Sequence, residues 1–175
     1  QPWGLCSATT NPRLVTAVIL DKREYWSSRF NLANLSPSEL RKQLYNEVIV
    51  EGAATLMPRW VQSAQVEGWI SAQVDPVDVR CTERMTTRGL ELQRLAPNVM
   101  VKVPGSLEGL VTVEHLVAQG GSVNITFCFT VAQFQAGIQA IERGLATARS
   151  NGIDTGRCKY VITFMIGRFA CQPEF

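Results

Sequence analysis

A lysine inside an apolar run is the residue of this sequence best suited to chemistry. Lys102 lies within residues 99–104, Val-Met-Val-Lys-Val-Pro, a run that predicts a buried strand. Removing an ammonium group from water is costly, so a lysine in such a place tends to lose its proton and become a nucleophilic amine. A neutral amine forms a Schiff base with a carbonyl substrate. The alternative is a lysine at the strand end whose ammonium group reaches solvent.

The residues that follow place this lysine beside a loop. Residues 105–110 read Gly-Ser-Leu-Glu-Gly-Leu, which predicts a tight turn that opens a helix with Ser106 as the N-cap. Lys102 would then lie near the carboxyl end of its strand. Catalytic residues of parallel α/β folds lie at this end of the strands, so the context favours the chemical role.

Strands and helices are predicted to alternate along the whole chain. The predicted strands are residues 5–10, 68–74, 99–104, 123–129 and 160–164. The predicted helices are residues 11–29, as one helix or a broken one, a long helix from 36, 78–95, one that ends at 118, and 131–149, which residues 130–133 would cap. The long helix begins with the capping box Ser36-Pro37-Ser38-Glu39, and Pro58 is expected to kink or divide it.

This alternation, with connections long enough to cross over, indicates a parallel α/β fold. Either an open doubly wound sheet or part of a (β/α)8 TIM-type barrel fits the order of the elements. Polar residues recur within or just after every predicted strand, as expected where one barrel mouth is lined by all strands. They are Thr10, Asn11, Gln73, Lys102, Asn124, Thr126, Thr163 and Arg168. Each could instead cap the helix that follows it, as Asn11 is expected to do.

Composition narrows the class of protein. The chain has 175 residues with 46% hydrophobic and 18% charged content, which predicts a single domain over residues 1–175 with strands covered on both faces. The formal net charge of +2 and the scattered basic residues argue against a nucleic-acid partner. No apolar run is long enough for a membrane span.

Cofactors, metals and disulfides are not expected. Five cysteines and one histidine, with no Cys-x-x-Cys pair, argue against a zinc site and a disulfide framework, and free thiols fit a reducing compartment. No glycine-rich nucleotide motif follows a strand. The first residues lack a secretory layout, so the cytoplasm is predicted, with a plastid after transit-peptide removal as the alternative.

Five segments of the chain resemble motifs of the transaldolase family, in the family's order. The segment around Lys102, residues 99–110, is similar to the Schiff-base lysine signature of that family. The other four segments are Thr9-Thr10-Asn11-Pro12, Ser71-Ala72-Gln73-Val74-Asp75, residues 124–130 and residues 162–168. Any one of these is a weak signal, and together they cover nearly the whole chain.

The resemblance implies a (β/α)8 barrel and a transferase of the pentose phosphate pathway, in carbohydrate metabolism. The implied reaction transfers a dihydroxyacetone unit between sugar phosphates, with fructose 6-phosphate or sedoheptulose 7-phosphate as the class of substrate. Lys102 would be the Schiff-base nucleophile, and Thr126 would orient the catalytic water.

The same resemblance implies the substrate-binding residues. Asn11 and Asn124 would hold substrate hydroxyls. Arg168, with Thr163 nearby, would hold the phosphate, a task that suits a bidentate guanidinium group.

Two positions depart from the family pattern. Gln73 stands where the family has an acid–base glutamate, and an amide cannot accept and return a proton near neutral pH. A fructose-6-phosphate aldolase type of branch has glutamine there together with a tyrosine near a later strand, where this chain has Met165. The alternative function is therefore a catalytically impaired homologue that serves as a structural or binding subunit.

Only about five βα units of the expected eight are present. The family's first-strand aspartate and its last two strands have no counterpart, and five strands cannot close an eight-stranded barrel. We therefore expect either a longer gene product or a second copy or partner chain that completes the barrel.

Overall fold

Strands and helices alternate in the structure as the sequence predicts. This computed structural model describes residues 6–29 and 35–170. The strands are β1 (Ala8–Thr9), β2 (Ile70–Gln73), β3 (Val99–Pro104), β4 (Val123–Cys128) and β5 (Tyr160–Phe164). The helices are α1 (Pro12–Asp21), α2 (Arg23–Arg29), α3 (Pro37–Gln62), α4 (Thr82–Gln93), α5 (Leu107–Ala118), α6 (Val131–Ser150) and α7 (Ile166–Ala170). Leu5, the first residue of the predicted first strand, lies outside the described residues.

The order of the strands decides between the two predicted architectures. The strands follow the sheet in chain order, β1-β2-β3-β4-β5, and the pairs β1–β2, β3–β4 and β4–β5 are parallel. A doubly wound sheet reverses its strand order at a switch point, whereas a β/α barrel adds its strands in chain order. The described chain therefore has the topology of a partial (β/α)8 barrel, which confirms the predicted fold class.

The structure decides whether two of the predicted helices are continuous. Residues 11–29 form two helices, the broken form of the predicted helix, because Lys22 leaves the helical conformation with φ −120° and ψ 45°. Of the kink or division predicted at Pro58, the division is wrong, since α3 continues through Pro58 to Gln62. A proline removes one backbone donor, and hydrogen bonding resumes after it, with the Ser63 N–H 3.0 Å from the Arg59 carbonyl.

The described residues form two compact units, of which the first comprises the residues up to Gln73 together with Arg94–Val99. In this unit β1 pairs with β2, with Ala8 opposite Ile70, and the Ser36 capping box starts α3 as predicted. Asn98 is completely buried. Its Nδ2 donates to the carbonyls of Ala53 and Gly68, both at 2.9 Å, so this amide ties α3 to the turn before β2.

The second unit comprises Val74–Gln93 and the described residues from Met100 onward. Helices α5 and α6 pack against each other in this unit, and both begin with the caps expected from the sequence, Ser106 and Thr130. Its core is formed by fully buried residues of the strands and of α5. They are Val101, Val103, Val113, Leu116, Val117, Val123 and Ile125.

Candidate active site

Alternate side chains of β4 and β5 point away from helix α6. The Cδ1 atoms of Ile125 and Ile162 lie only 3.1 and 3.2 Å from the place a Cβ on Gly137 of α6 would take, so these two isoleucines face the helix. Successive side chains of a strand point to opposite faces. The neighbours of the two isoleucines therefore share the other face of the sheet, and they are Asn124, Thr126, Val161 and Thr163.

Lys102 belongs to the same face. In the parallel pairing of β3 with β4, Lys102 lies opposite Asn124 and Pro104 lies opposite Thr126. Partners in register on neighbouring strands present their side chains to the same side of the sheet. The second unit thus brings Lys102 together with Asn124 and Thr126, three residues that the sequence predicted to act at one site.

The environment of Lys102 favours the neutral amine. Lys102 is partly buried, and its neighbours Val101 and Val103 are completely buried. Desolvation lowers the pKa of Lys102 below the usual value for lysine, because burial penalises the charged ammonium form. At a given pH a larger fraction of this lysine is therefore nucleophilic than of an exposed lysine.

A hydrogen bond connects two polar residues of this face. The Thr163 Oγ1 donates to the Asn124 Oδ1 at 2.9 Å, and Asn124 is only 5% exposed. The bond joins β5 to β4 and fixes the orientation of both side chains. The two groups form a preorganised polar pair on the face of the sheet that bears Lys102.

The loop after Lys102 is fixed to the strand of Thr126. The Gly105 N–H donates to the Thr126 carbonyl at 2.7 Å, and the Ser106 Oγ accepts from the Gly109 N–H at 3.1 Å as the predicted N-cap. A Cβ on Gly105 would lie 2.8 Å from the Cys128 Sγ. Only glycine allows the loop to approach β4 so closely.

Strand β4 contains a bulge directly after Thr126. From Ile125 to Cys128 the chain advances three residues, while the partner strand β5 advances two, from Ile162 to Phe164. Phe127 takes a left-handed conformation with φ 58°, which is uncommon for an aromatic residue. Bulges of this kind turn the chain at the rims of barrels and beside active sites.

Arg168 lies beyond the carboxyl end of β5. It is part of the short helix α7, its side chain is exposed, and its backbone N–H donates to the Met165 carbonyl at 3.0 Å. Arg168 therefore follows a strand end, which is where the family resemblance places the residue that binds the substrate phosphate. The binding role itself stays a prediction.

In the first unit, Asn11 is used as a helix cap. Its Oδ1 accepts from the Leu14 N–H at 2.9 Å, and Pro12 occupies the first helical turn, as the sequence predicts. The structural role of Asn11 is thereby accounted for, and its predicted contact with substrate hydroxyls stays a prediction.

Also in the first unit, a buried tyrosine hydroxyl organises the ends of β1 and β2. The Tyr45 hydroxyl of α3 accepts from the Gln73 N–H at 2.7 Å and lies 3.3 Å from the Thr10 Oγ1. Thr10 in turn donates to the Ser71 carbonyl at 2.8 Å. The backbone of Gln73 is therefore held by a side chain from a helix far away in sequence.

The role of Tyr45 could not be read from the sequence. Its spacing from Ile49 and Ala53 is that of one helical face, and all three are buried, so the pattern predicts only a core residue. Only the residue type indicates a polar partner here, because the hydroxyl of a buried tyrosine usually forms a hydrogen bond.

Replacing Tyr45 by phenylalanine should destabilise the protein. Tyr45→Phe leaves the Gln73 N–H without its acceptor, and an unpaired buried donor costs about 1–3 kcal/mol. Tyr25→Phe is the matched control, because the Tyr25 hydroxyl bonds the Glu51 Oε1 at an exposed position and its loss should cost less than about 0.5 kcal/mol. Urea unfolding measures both, and equal losses would contradict the role given to Tyr45.

The described part of the chain contains neither a candidate metal site nor a helix that could span a membrane. No group of three or more His, Cys, Asp or Glu residues within residues 6–29 and 35–170 is arranged to hold a metal ion. None of the helices in these ranges combines the length and the apolar character needed to cross a bilayer. Among the described residues no disulfide joins Cys6, Cys81, Cys128 or Cys158, and Cys171 lies outside them.

The parallel strands in chain order, with a partly buried lysine near the carboxyl end of β3, define the class of β/α barrel proteins. The profile of the Transaldolase/Fructose-6-phosphate aldolase family matches residues 1–173. The chain belongs to this family, which confirms the family resemblance found in the sequence.

Individual relatives agree with this assignment. A transaldolase of Saccharopolyspora erythraea is 30% identical over 170 residues, which cover 95% of this chain and 46% of the relative. Transaldolases of Mycobacterium tuberculosis and Mycobacterium marinum are 26% identical over 169 residues, covering 94% of this chain and 45% of each relative. The chain spans about half the length of the curated relatives it matches.

Proposed function

We propose that this protein performs transaldolase chemistry, the transfer of a dihydroxyacetone unit between sugar phosphates through a Schiff base on Lys102. The observation that carries the proposal is the partly buried Lys102, with its lowered pKa, in register with Asn124 on the face that also holds Thr126 and Thr163. Family membership supports sugar phosphates as the substrate class.

The proposed reaction begins with attack of the neutral Lys102 amine on the ketose carbonyl, followed by loss of water to form the Schiff base. The C4 hydroxyl of the bound ketose then gives its proton to a water molecule, and the bond between C3 and C4 breaks. Its electron pair passes into the protonated imine to form an enamine, and C4 leaves as the aldehyde of an aldose phosphate. The enamine left on Lys102 then attacks an acceptor aldehyde, and water releases the new ketose phosphate. Thr126 is proposed to orient this water.

The remaining residues are proposed to bind the substrate. Asn124, oriented by the Thr163 hydroxyl, would hold a substrate hydroxyl, and Asn11 would hold another. Arg168 would bind the phosphate with a bidentate guanidinium contact. The described cysteines form no disulfide, which supports a reducing compartment such as the cytoplasm as the proposed location.

Gln73 favours a second candidate function, that of a catalytically impaired homologue in a larger assembly. The side-chain amide of Gln73 can orient water, but it cannot take up and return a proton. A protein with Lys102 and without this base would form the covalent adduct and turn it over slowly. The adduct would then serve binding more than transfer.

Borohydride trapping of the full-length natural protein tests both candidates. Reduction in the presence of fructose 6-phosphate should fix the sugar on Lys102, which peptide mass mapping would locate. Transfer to an added aldose phosphate is measured in parallel. Adduct with transfer supports the enzyme, adduct without transfer supports the impaired homologue, and no adduct would overturn the Schiff-base proposal.

The reactivity of Lys102 should depend on pH with a shifted midpoint. Because burial lowers the pKa of Lys102, its acylation by an amine reagent should be half-maximal below the usual lysine value of about 10.4. The same lysine in the urea-unfolded chain should have the ordinary midpoint. Between the two pKa values the folded state binds fewer protons, so stability should rise with pH in that window. Identical midpoints in both states would refute the effect of burial.

A further inference from the structure

One glutamine side chain joins the ends of the two central strands of the candidate site. The Gln133 Nε2 of α6 donates to the Gly105 carbonyl at 3.1 Å and to the Phe127 carbonyl at 3.3 Å. Gly105 follows the Lys102 strand by one residue, and Phe127 directly follows Thr126. The Gln133 amide nitrogen therefore bridges the carboxyl ends of β3 and β4 with two hydrogen bonds.

The oxygen of the same amide has a separate task. The Gln133 Oε1 accepts from the Phe129 N–H at 2.9 Å and from the Thr130 N–H at 3.2 Å, while the Gln133 N–H donates to the Thr130 Oγ1 at 3.1 Å. These bonds form the capping box that starts α6. Helix capping uses the oxygen, so it does not explain the two bonds made by the nitrogen.

The bulge in β4 explains why such a link is needed. The left-handed Phe127 breaks the regular pairing of β4 with β5 between Ile125 and Cys128. A residue in this conformation persists only where the surrounding structure holds it. Gln133 supplies that hold from outside the sheet, at the Phe127 carbonyl.

We propose that Gln133 is a positioning residue for the Schiff-base site, and that its amide nitrogen keeps the strand ends that bear Lys102 and Thr126 at a fixed distance. Its catalytic consequence rests on the proposed function. The Gly105 N–H also donates to the Thr126 carbonyl, which joins the same two strand ends by a backbone hydrogen bond. This bond and the Gln133 nitrogen together hold the loop that follows the Lys102 strand.

The variant Gln133→Glu separates the two tasks. A glutamate keeps the acceptor oxygens for the capping box and loses both donors to Gly105 and Phe127. Thr130→Ala is the matched control, since it removes the cap acceptor of the same helix and leaves the Gln133 nitrogen in place. The thermal unfolding temperature of both variants shows how much of any effect is structural.

Two readouts test the inference in the full-length natural protein. With saturating fructose 6-phosphate, Gln133→Glu should trap sugar at least about tenfold more slowly than wild type. The acylation midpoint is measured in Gln133→Met, which also removes both donors, because a new carboxylate would raise the pKa of Lys102 by its charge alone. In Gln133→Met this midpoint should move toward the ordinary lysine value. Thr130→Ala should stay within about twofold of wild type in trapping and leave the midpoint unchanged.

The outcomes are distinguishable. A trapping rate of Gln133→Glu equal to that of Thr130→Ala would assign Gln133 to helix capping alone and overturn the inference. An unaltered Lys102 midpoint in Gln133→Met would overturn it as well. If the wild-type protein traps no sugar, the proposed function fails, and the shift of the Lys102 midpoint in Gln133→Met still decides whether the amide controls the surroundings of this lysine.

Discussion

Replacing Lys102 by methionine should abolish trapping of fructose 6-phosphate completely. The Schiff base needs a primary amine, and methionine offers none, although it fills a similar volume beside the buried Val101 and Val103. The variant should fold at least as stably as wild type, because the partly buried position no longer removes an ammonium group from water. Intact mass after borohydride reduction measures the adduct.

Lys159→Met is the control for this substitution. Lys159 precedes β5 in the same unit, and its backbone groups bond the Ser122 Oγ and the Val123 N–H, which methionine preserves. This variant should keep the full yield of adduct. An adduct that persists in Lys102→Met, or disappears in Lys159→Met, would show that the sugar reacts with another amine.

A large loss of stability is expected from Gly68→Ala. Gly68 has φ +83°, and a Cβ there would lie 2.7 Å from both the Cα and the Cβ of Trp60. A left-handed alanine costs about 1 kcal/mol, and displacing the end of α3 adds about 1–3 kcal/mol. The total of about 2–4 kcal/mol would be a large share of the stability of a typical domain.

Gly152→Ala separates these two contributions. Gly152 also has a positive φ, +69°, yet no atom lies within 4 Å of a Cβ placed there. It should lose only the conformational part, about 1 kcal/mol. Urea unfolding followed by circular dichroism measures both variants, and similar losses would mean that the contact with Trp60 relaxes without cost.

Local sequence patterns predicted most elements of the fold. The capping boxes at Ser36 and Thr130 and the N-caps at Asn11 and Ser106 are present where the sequence places them, because a cap depends only on residues within one helical turn. The apolar run around Lys102 is a strand for the same local reason. The family could also be predicted, because five short motifs occur along the chain in the order typical of that family.

Features that depend on distant residues could not be predicted in this way. The Tyr45 hydroxyl meets Gln73 across 28 residues, and the Gln133 amide meets Gly105 across the same separation. Neither spacing has a local signature, since both bonds exist only once a helix has packed on the sheet. The left-handed Phe127 is similar, because an isolated aromatic residue disfavours that conformation.

The sequence by itself determined the alternation of strands and helices, the family, and the lysine that could do chemistry, because each of these is encoded in short runs of residue types. The tertiary structure alone decided the strand order β1-β2-β3-β4-β5, and with it the barrel topology. It also decided that Lys102 shares a face with Asn124 and that partial burial lowers its pKa. Register and burial are properties of the packed sheet, so they arise only when separate segments pair.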